Sequence, residues 1–185
     1  MSSKEPRIVY QPLHPSTRLR LDPEYIAYHD SVLQYLPADD ERPWTPSFRT
    51  WANIINTTPV AVGGIRDVTI PKLSPTDRSP LQARVFTPDP ELSPPESANG
   101  WPVLLWFHGG GFVLGGLESE NDLCALFCRT AGCVVVSVAY RLAPEHPYPA
   151  AAQDAVRALR WVASEEASRE LGSDRQRIAI GGTSA

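Results

Sequence analysis

Two short segments of the chain hold the residue types that chemistry at a carbonyl group needs. Residues 108–111 read His-Gly-Gly-Gly after the apolar run 103–107, and residues 182–185 read Gly-Thr-Ser-Ala after the largely apolar segment 177–180. Bare backbone N–H groups at a strand end can hold a developing negative charge, which is the physics of an oxyanion hole. A serine on a sharp, glycine-flanked turn can present its hydroxyl as a nucleophile. Neither segment alone is specific to this chemistry, but together they favour acyl transfer at Ser184.

Two glycine-rich strand ends could also bind a nucleotide, but the chain matches neither of the two nucleotide-binding fingerprints. For G-x-G-x-x-G starting at Gly109, the sixth position is Leu114, and the pattern fails. For G-x-x-x-x-G-K, Gly110 and Gly115 fit, but Gly116 stands where the lysine should be. A phosphate-binding loop is therefore disfavoured, because the fingerprints depend on those positions.

The order of apolar runs predicts an α/β fold with a mostly parallel sheet and helices on both faces. Continuous apolar strands alternate with amphipathic helical segments, which is typical of right-handed parallel crossovers. An antiparallel, half-exposed pair precedes them, because its residues alternate polar and apolar. The predicted strands are 67–70, 81–86, 103–107, 133–138 and 177–180. Ser119 predicts a helix start that Gly132 ends, and Gly172 predicts the end of a helical segment that continues or restarts at Ser164. Active sites of such sheets lie outside the carboxyl ends of the strands, where both glycine segments fall.

The first part of the chain predicts a helical region that precedes the sheet. Residues 1–21 indicate a loose arm, and Asp22-Pro23 begins a helix that Pro37 stops. A second amphipathic segment places its large apolar side chains on one stripe, at Trp44, Phe48, Trp51 and Ile55. That stripe is interpreted either as a helix packed on a core or as a cap that lines an apolar substrate pocket. The predicted domains are residues 1–60, the arm and cap helices, and residues 61–185, the N-terminal part of a catalytic domain.

Composition excludes several classes of function. The formal charge of −4 over 185 residues argues against a nucleic-acid surface, which needs a basic patch. No apolar run reaches the ~18 residues of a membrane helix, and the N-terminus lacks the apolar core of a secretory signal. The three cysteines favour buried thiols in a reducing compartment over disulfides or a metal site. A cytoplasmic protein is expected, and the oligomeric state stays open.

Residues 101–185 closely resemble the hormone-sensitive-lipase-like branch of the α/β-hydrolases, also called α/β-hydrolase fold-3. The motifs that carry the resemblance are His-Gly-Gly-Gly-Phe at 108–112, Tyr-Arg-Leu-Ala-Pro-Glu-His-Pro-Tyr-Pro-Ala-Ala at 140–151, and Arg-Ile-Ala-Ile-Gly-Gly-Thr-Ser-Ala at 177–185. The middle motif is the most specific to this branch. Residues 1–100 fit only loosely, as its N-terminal cap helices and first two strands.

The resemblance implies a carboxylic ester hydrolase that works through an acyl-enzyme on a small-molecule ester, without a metal or organic cofactor. It implies that Ser184 is the nucleophile and that His108 braces the glycine loop rather than acting as the base. The resemblance also implies that the oxyanion-hole residues are Gly109, Gly110, Gly111 and Ala185, of which the first shapes the loop and the other three donate their N–H groups.

Two further residues of the middle motif, Glu145 and His146, are structural by the same resemblance. Without the resemblance, His108 and His146 would both stay candidates for the general base, since histidine is the usual one. An alternative in the same branch is a receptor that binds a small molecule without turning it over. The histidine of a catalytic triad would discriminate the enzyme from the receptor.

The position of Ser184 at the chain's end gives a further expectation. In α/β-hydrolases the triad runs serine, acid, histidine along the chain, whereas His14, His29, His108 and His146 all precede Ser184. The triad acid and histidine are thus expected downstream of Ala185. The 185-residue polypeptide by itself is expected to be inactive and to fold poorly. Besides the ester hydrolase and the receptor, a third hypothesis is therefore a fragment without function.

Overall fold

The structure, a computed structural model, describes residues 7–38, 43–53, 60–72 and 79–184, with the side chains of 50–53 left out. The chain divides into two compact units, residues 1–45 and 46–185. The domain boundary expected near residue 60 stays a prediction, because residues 54–59 lie outside the described part. No helix in the described ranges is long and apolar enough to cross a membrane.

The first unit contains helices α1 (Pro15–Arg18) and α2 (Pro23–Ser31) and a 3₁₀ turn (Leu33–Tyr35). As the sequence predicts, Asp22 caps α2, its carboxylate accepting the N–H of Glu24 at 2.8 Å. The α-helix ends earlier than the predicted stop at Pro37. The carbonyl of Gln34 instead accepts the N–H groups of Tyr10 and Gln11, at 2.8 and 3.2 Å.

The second unit begins with a 3₁₀ helix, Pro46–Asn53, where the sequence predicts an α-helix. Phe48 of the predicted apolar stripe is half-buried. Ile55 of the stripe lies outside the described residues, as does the side chain of Trp51. The cap interpretation of this segment therefore stays a prediction.

The centre of the second unit is a five-stranded sheet with the order β1-β2-β4-β3-β5. Its strands are β1 (Gly64–Ile70), β2 (Leu81–Thr87), β3 (Trp101–Phe107), β4 (Val134–Ala139) and β5 (Ser173–Gly182). β1, β2 and β4 pair antiparallel, while β4, β3 and β5 pair parallel. The predicted antiparallel edge pair and the parallel sheet behind it are both confirmed.

Helices cover both faces of the sheet. They are α3 (Asn121–Ala131), α4 (Ala150–Val162) and α5 (Glu165–Leu171). Successive side chains of a strand point to opposite faces of the sheet. On one face, Val103 and Leu105 of β3 share a core with Trp161 of α4. On the other face, Trp106 of β3 shares a core with Cys124 of α3. The continuous apolar runs of β3 and β4 are therefore the signature of a sheet buried on both sides.

α3 and α5 end at their predicted glycines, whereas the start of α3 differs from its prediction. Gly132 and Gly172 end α3 and α5 in the left-handed conformation, with φ of 57° and 63°. α3 was expected to start at Ser119, but Glu120 takes the N-cap position. The Ser119 hydroxyl instead accepts the N–H of Gly116 at 2.8 Å, so it closes the preceding turn.

The three cysteines are buried free thiols. Burial raises the pKa of Cys124 and of Cys128 to about 12, and it raises the pKa of Cys133 as well. Thiols held in the neutral form are poor nucleophiles and poor metal ligands. Their environment matches the predicted role as small apolar side chains of the core.

Candidate active site

The two glycine segments meet because β3 and β5 are parallel neighbours. Phe107, the last residue of β3, is in register with Gly182, and the N–H of Thr183 donates to the Phe107 carbonyl at 3.2 Å. Both chains then leave the sheet at its carboxyl end. A Cβ placed on Gly109 would lie only 2.6 Å from the Thr183 carbonyl oxygen, so the glycine loop touches the turn that carries Ser184.

Ser184 has the backbone conformation of a strained turn. Its φ of +47° lies in the left-handed region, which residues with a side chain rarely occupy. Such strain is concentrated at functional sites, and a sharp strand-to-turn serine exposes its hydroxyl above the sheet. The residue is exposed, and its hydroxyl has no hydrogen-bond partner in the described part of the chain. Ala185, the predicted third oxyanion donor, lies outside the described residues.

The glycine loop presents two backbone N–H groups. The carbonyl of Gly110 accepts the N–H groups of Val113 and Leu114 at 3.1 and 2.9 Å, and the carbonyl of Gly109 accepts from His108 Nδ1 at 2.9 Å. In a planar trans peptide the N–H points opposite to the C=O. The N–H groups of Gly110 and Gly111 therefore point away from these contacts, and neither donates to a described residue.

His108 is a buried side chain at the start of the loop. It is 1 % exposed, and burial lowers its pKa. Its ring stacks on Tyr140 with centroids 4.4 Å apart, and the Tyr140 hydroxyl donates to the His108 carbonyl at 2.6 Å. Since a carbonyl only accepts, Nδ1 carries the proton in the bond to Gly109. This arrangement fits the predicted bracing role.

Glu120, at the N-cap of α3, contacts the loop from a position that the sequence analysis missed. Its Oε1 accepts the N–H of Gly109 at 3.1 Å, and its Oε2 accepts the indole N–H of Trp106 at 2.5 Å. The Gly109 N–H is thus occupied, which fits loop shaping rather than oxyanion binding. A glutamate between Ser119 and a helix carries no local signal for such a contact.

The loop of residues 140–149 is fastened to α4 through a buried carboxylate. Asp154, whose side chain is 4 % exposed, accepts the backbone N–H of Arg141 at 2.9 Å. It also accepts two hydrogen bonds from the guanidinium of Arg141, at 2.9 Å each. Such a bidentate pair is strong and geometrically specific.

Arg49 joins the loop of residues 140–149 to the turn that follows the three glycines. Its guanidinium donates to the carbonyls of Val113 and Ala143, both at 3.0 Å, and forms an ion pair with Glu145. The guanidinium lowers the pKa of Glu145. The pair with Arg49 fits the structural role predicted for Glu145, through a partner that only the fold reveals.

A cavity of about 500 Å³ opens beside Ser184. Its wall is mostly aromatic and aliphatic, and His146 contributes to it. The lining residues are Phe107, Phe112, Tyr140, Arg141, Ala143, His146, Tyr148, Ala151, Ala152, Ala155, Ile180, Gly181, Gly182 and Ser184. The volume lies within the range of small-molecule sites, and its apolar wall suits an uncharged organic group.

Comparison with known proteins agrees with these features. A family described as alpha/beta hydrolase fold matches residues 104–185. The chain is 38 % identical over 178 residues to an AB hydrolase superfamily protein of Schizosaccharomyces pombe, covering 94 % of this chain and 50 % of that protein. It is 49 % identical over 106 residues to the esterase LipI of Mycobacterium tuberculosis, covering 57 % of this chain and 31 % of that enzyme.

A solved structure shows the same fold. The ester-hydrolase EH1AB1 from the metagenome of Lake Arreo aligns with a TM-score of 0.68 and 29 % identity, over 92 % of this chain and 50 % of that one. The chain therefore spans half or less of the length of these three relatives. Residues 104–185 match the alpha/beta hydrolase fold family, as their motifs predict.

Proposed function

We propose that the protein is a carboxylic ester hydrolase in which Ser184 is the nucleophile. The observation that carries the proposal is the left-handed turn at Ser184, which lies beside the glycine loop and lines an apolar cavity. The N–H groups of Gly110 and Gly111 supply the oxyanion hole, and Ala185, outside the described residues, supplies a third donor. The esterases among its relatives support the same class of reaction.

The chemistry requires two steps at one carbonyl. The Ser184 oxygen attacks the ester carbon while a base takes its proton, and the carbonyl electron pair moves onto the oxygen that Gly110 and Gly111 stabilise. The tetrahedral intermediate collapses, the C–O bond to the alcohol breaks, and the alkoxide takes the proton. Water then attacks the acyl-enzyme in the same way and releases the acid.

The base is assigned to a residue beyond Ser184, as the order of the family's triad requires. None of the described histidines hydrogen-bonds to Ser184, and His108 is bound to Gly109. In subtilisin, loss of the serine or of the histidine costs about 2 × 10⁶ in turnover. The polypeptide of residues 1–185 alone is therefore proposed to be inactive.

The cavity favours esters of uncharged acyl groups. Apart from Arg141 and His146, its wall is formed by aromatic, aliphatic and small side chains and the hydroxyl of Ser184. The guanidinium of Arg141 is already paired with Asp154. A charged acyl group would lose its hydration without gaining a partner on the apolar wall.

The test is ester hydrolysis by the protein expressed from its complete reading frame. p-Nitrophenyl acetate and butyrate are expected to be hydrolysed, with turnover lost in Ser184→Ala and kept in the control Ser16→Ala. Residues 1–185 are expressed in parallel and are expected to give no turnover above Ser184→Ala. Saturable ester binding without turnover would instead identify the receptor-type alternative.

A further inference from the structure

Glu120 bridges two groups that flank the glycine loop. One oxygen of its carboxylate accepts the N–H of Gly109, and the other accepts the indole N–H of Trp106. Hydrogen bonds to an ionised carboxylate are roughly twice as strong as neutral ones. Its place at the N-cap of α3, an eleven-residue helix, also favours a negative charge there. Its backbone carbonyl accepts the N–H of Cys124 at 2.9 Å. Glu120 is thus held at three points, through this carbonyl and through both carboxylate oxygens.

Trp106 connects this carboxylate to the strand that carries Ser184. The indole is 7 % exposed and packs against Phe127 of α3 with ring centroids 5.1 Å apart. A Cβ placed on Gly181 would lie 2.8 Å from the indole ring, so the ring fills the space above that glycine. Glu120 therefore contacts the glycine loop through Gly109 and the serine-bearing strand through Trp106.

The contact with Gly109 controls the next peptide. Both polar groups of Gly109 are occupied, the N–H by Glu120 and the carbonyl by His108 Nδ1. The Gly109 carbonyl belongs to the same rigid peptide plane as the Gly110 N–H. Glu120 thus holds the peptide plane that precedes the Gly109 Cα, and His108 holds the plane that follows it. With both planes held, the Gly110 N–H has little freedom to turn. Gly110 itself has a left-handed φ of 129°.

We propose that Glu120 is a positioning residue that holds the Gly110 N–H in line for the oxyanion by binding Gly109 and Trp106 together. Its effect on catalysis rests on the proposed function, but its effect on the loop does not. A displacement of about 1 Å at a catalytic group can cost 10²-fold in rate. Loss of the carboxylate is therefore expected to act on turnover while the substrate cavity keeps its lining.

The test compares Glu120→Gln with Glu118→Gln in the protein expressed from its complete reading frame. Glutamine keeps the shape of Glu120 but replaces one acceptor oxygen with a donor, so one of the two N–H groups loses its partner. Glu118 lies two residues away and contacts Arg84 and Asn121 at the surface instead of the loop. Amide hydrogen exchange at Gly109, the NMR resonance of the Trp106 indole N–H, and kcat and KM are measured in each variant.

In Glu120→Gln, exchange at Gly109 is expected to speed up about tenfold, and the indole resonance to shift. We expect kcat to fall about 10- to 100-fold with KM changed less than about twofold. Glu118→Gln is expected to match the wild type in all four measurements. Glu120→Asp is a second variant for the case in which Glu120→Gln fails to fold. Aspartate keeps the charge but is one methylene shorter, so it cannot reach both N–H groups. Gly109 exchange, the indole resonance and kcat are expected to change in the same direction as in Glu120→Gln.

Two outcomes would overturn the proposal: Gly109 exchange and the indole resonance both unchanged in Glu120→Gln, or an unchanged kcat once either of them has changed. An inactive wild type would contradict the proposed function alone. In that case the exchange and the indole resonance still decide, since a change in either supports the contacts of Glu120 and no change in both rejects them.

Discussion

At the scale of single residues, the glycine loop has a conformation that a side chain would oppose. Gly110 has a φ of 129°, and a Cβ there would lie 2.3 Å from the Leu114 carbonyl oxygen. Gly110→Ala is expected to move the peptide that carries the Gly110 N–H and to lower kcat/KM about 100-fold or more, because losing one oxyanion donor costs about 10²–10³. Steady-state kinetics measure this effect.

The matched control for that substitution is Gly116→Ala. A Cβ at Gly116 meets nothing within 4 Å. Its kcat/KM is expected to stay within about twofold of the wild type, as for most surface substitutions. Equal kinetics for the two alanine variants would contradict the assignment of Gly110 to the oxyanion hole.

The buried imidazole of His108 gives a pH dependence of stability. Burial lowers its pKa below the ordinary 6.5, so the unfolded chain binds a proton more readily than the folded one. The free energy of unfolding is therefore expected to be unaffected by this group above pH 6.5 and to decrease as the pH falls from 6.5 toward the folded pKa. An NMR titration of the imidazole is the direct measurement, and a midpoint at or above 6.5 would refute the neutral bracing role.

At the scale of elements, the buried Asp154–Arg141 pair is the main connection between α4 and the loop of residues 140–149. Asp154→Asn leaves the guanidinium of Arg141, 21 % exposed, without its counter-charge. Breaking a buried pair from one side typically costs about 3–5 kcal/mol. We expect a loss near the lower end of that range in the free energy of unfolding, measured with urea, because Arg141 is partly exposed.

The exposed pair of Arg66 with Glu170 is the control for this element. Its side chains are 45 % and 44 % exposed, and such surface pairs contribute about 0–1 kcal/mol. Glu170→Gln is therefore expected to change the unfolding free energy by less than about 1 kcal/mol. A larger loss there than in Asp154→Asn would mean that the loop is not held through Asp154.

The elements that could be predicted from sequence are those with strong local signals. Continuous apolar runs predicted β3 and β4, and glycines predicted the ends of α3 and α5, since both signals act within a few residues. The contacts of Arg49 and Glu120 could not be predicted, because their partners are set by the fold.

At the scale of the whole molecule, the sheet order brings distant motifs together. Because β3 lies between β4 and β5, the glycine loop, the loop of residues 140–149 and the turn at Ser184 all follow carboxyl ends of adjacent parallel strands. That edge is where open α/β sheets bind ligands. The sequence predicted this meeting from strand order, whereas the cavity beside it depends on side chains from all three segments.

The central claim is that Ser184 forms the acyl-enzyme, and covalent labelling tests it most directly. The protein expressed from its complete reading frame is treated with a fluorophosphonate, digested with trypsin and analysed by mass spectrometry. The predicted result is one adduct, on the peptide that begins at Ile178, with labelling and ester turnover both lost in Ser184→Ala. An adduct on another residue, or full ester turnover by Ser184→Ala, would contradict the assignment.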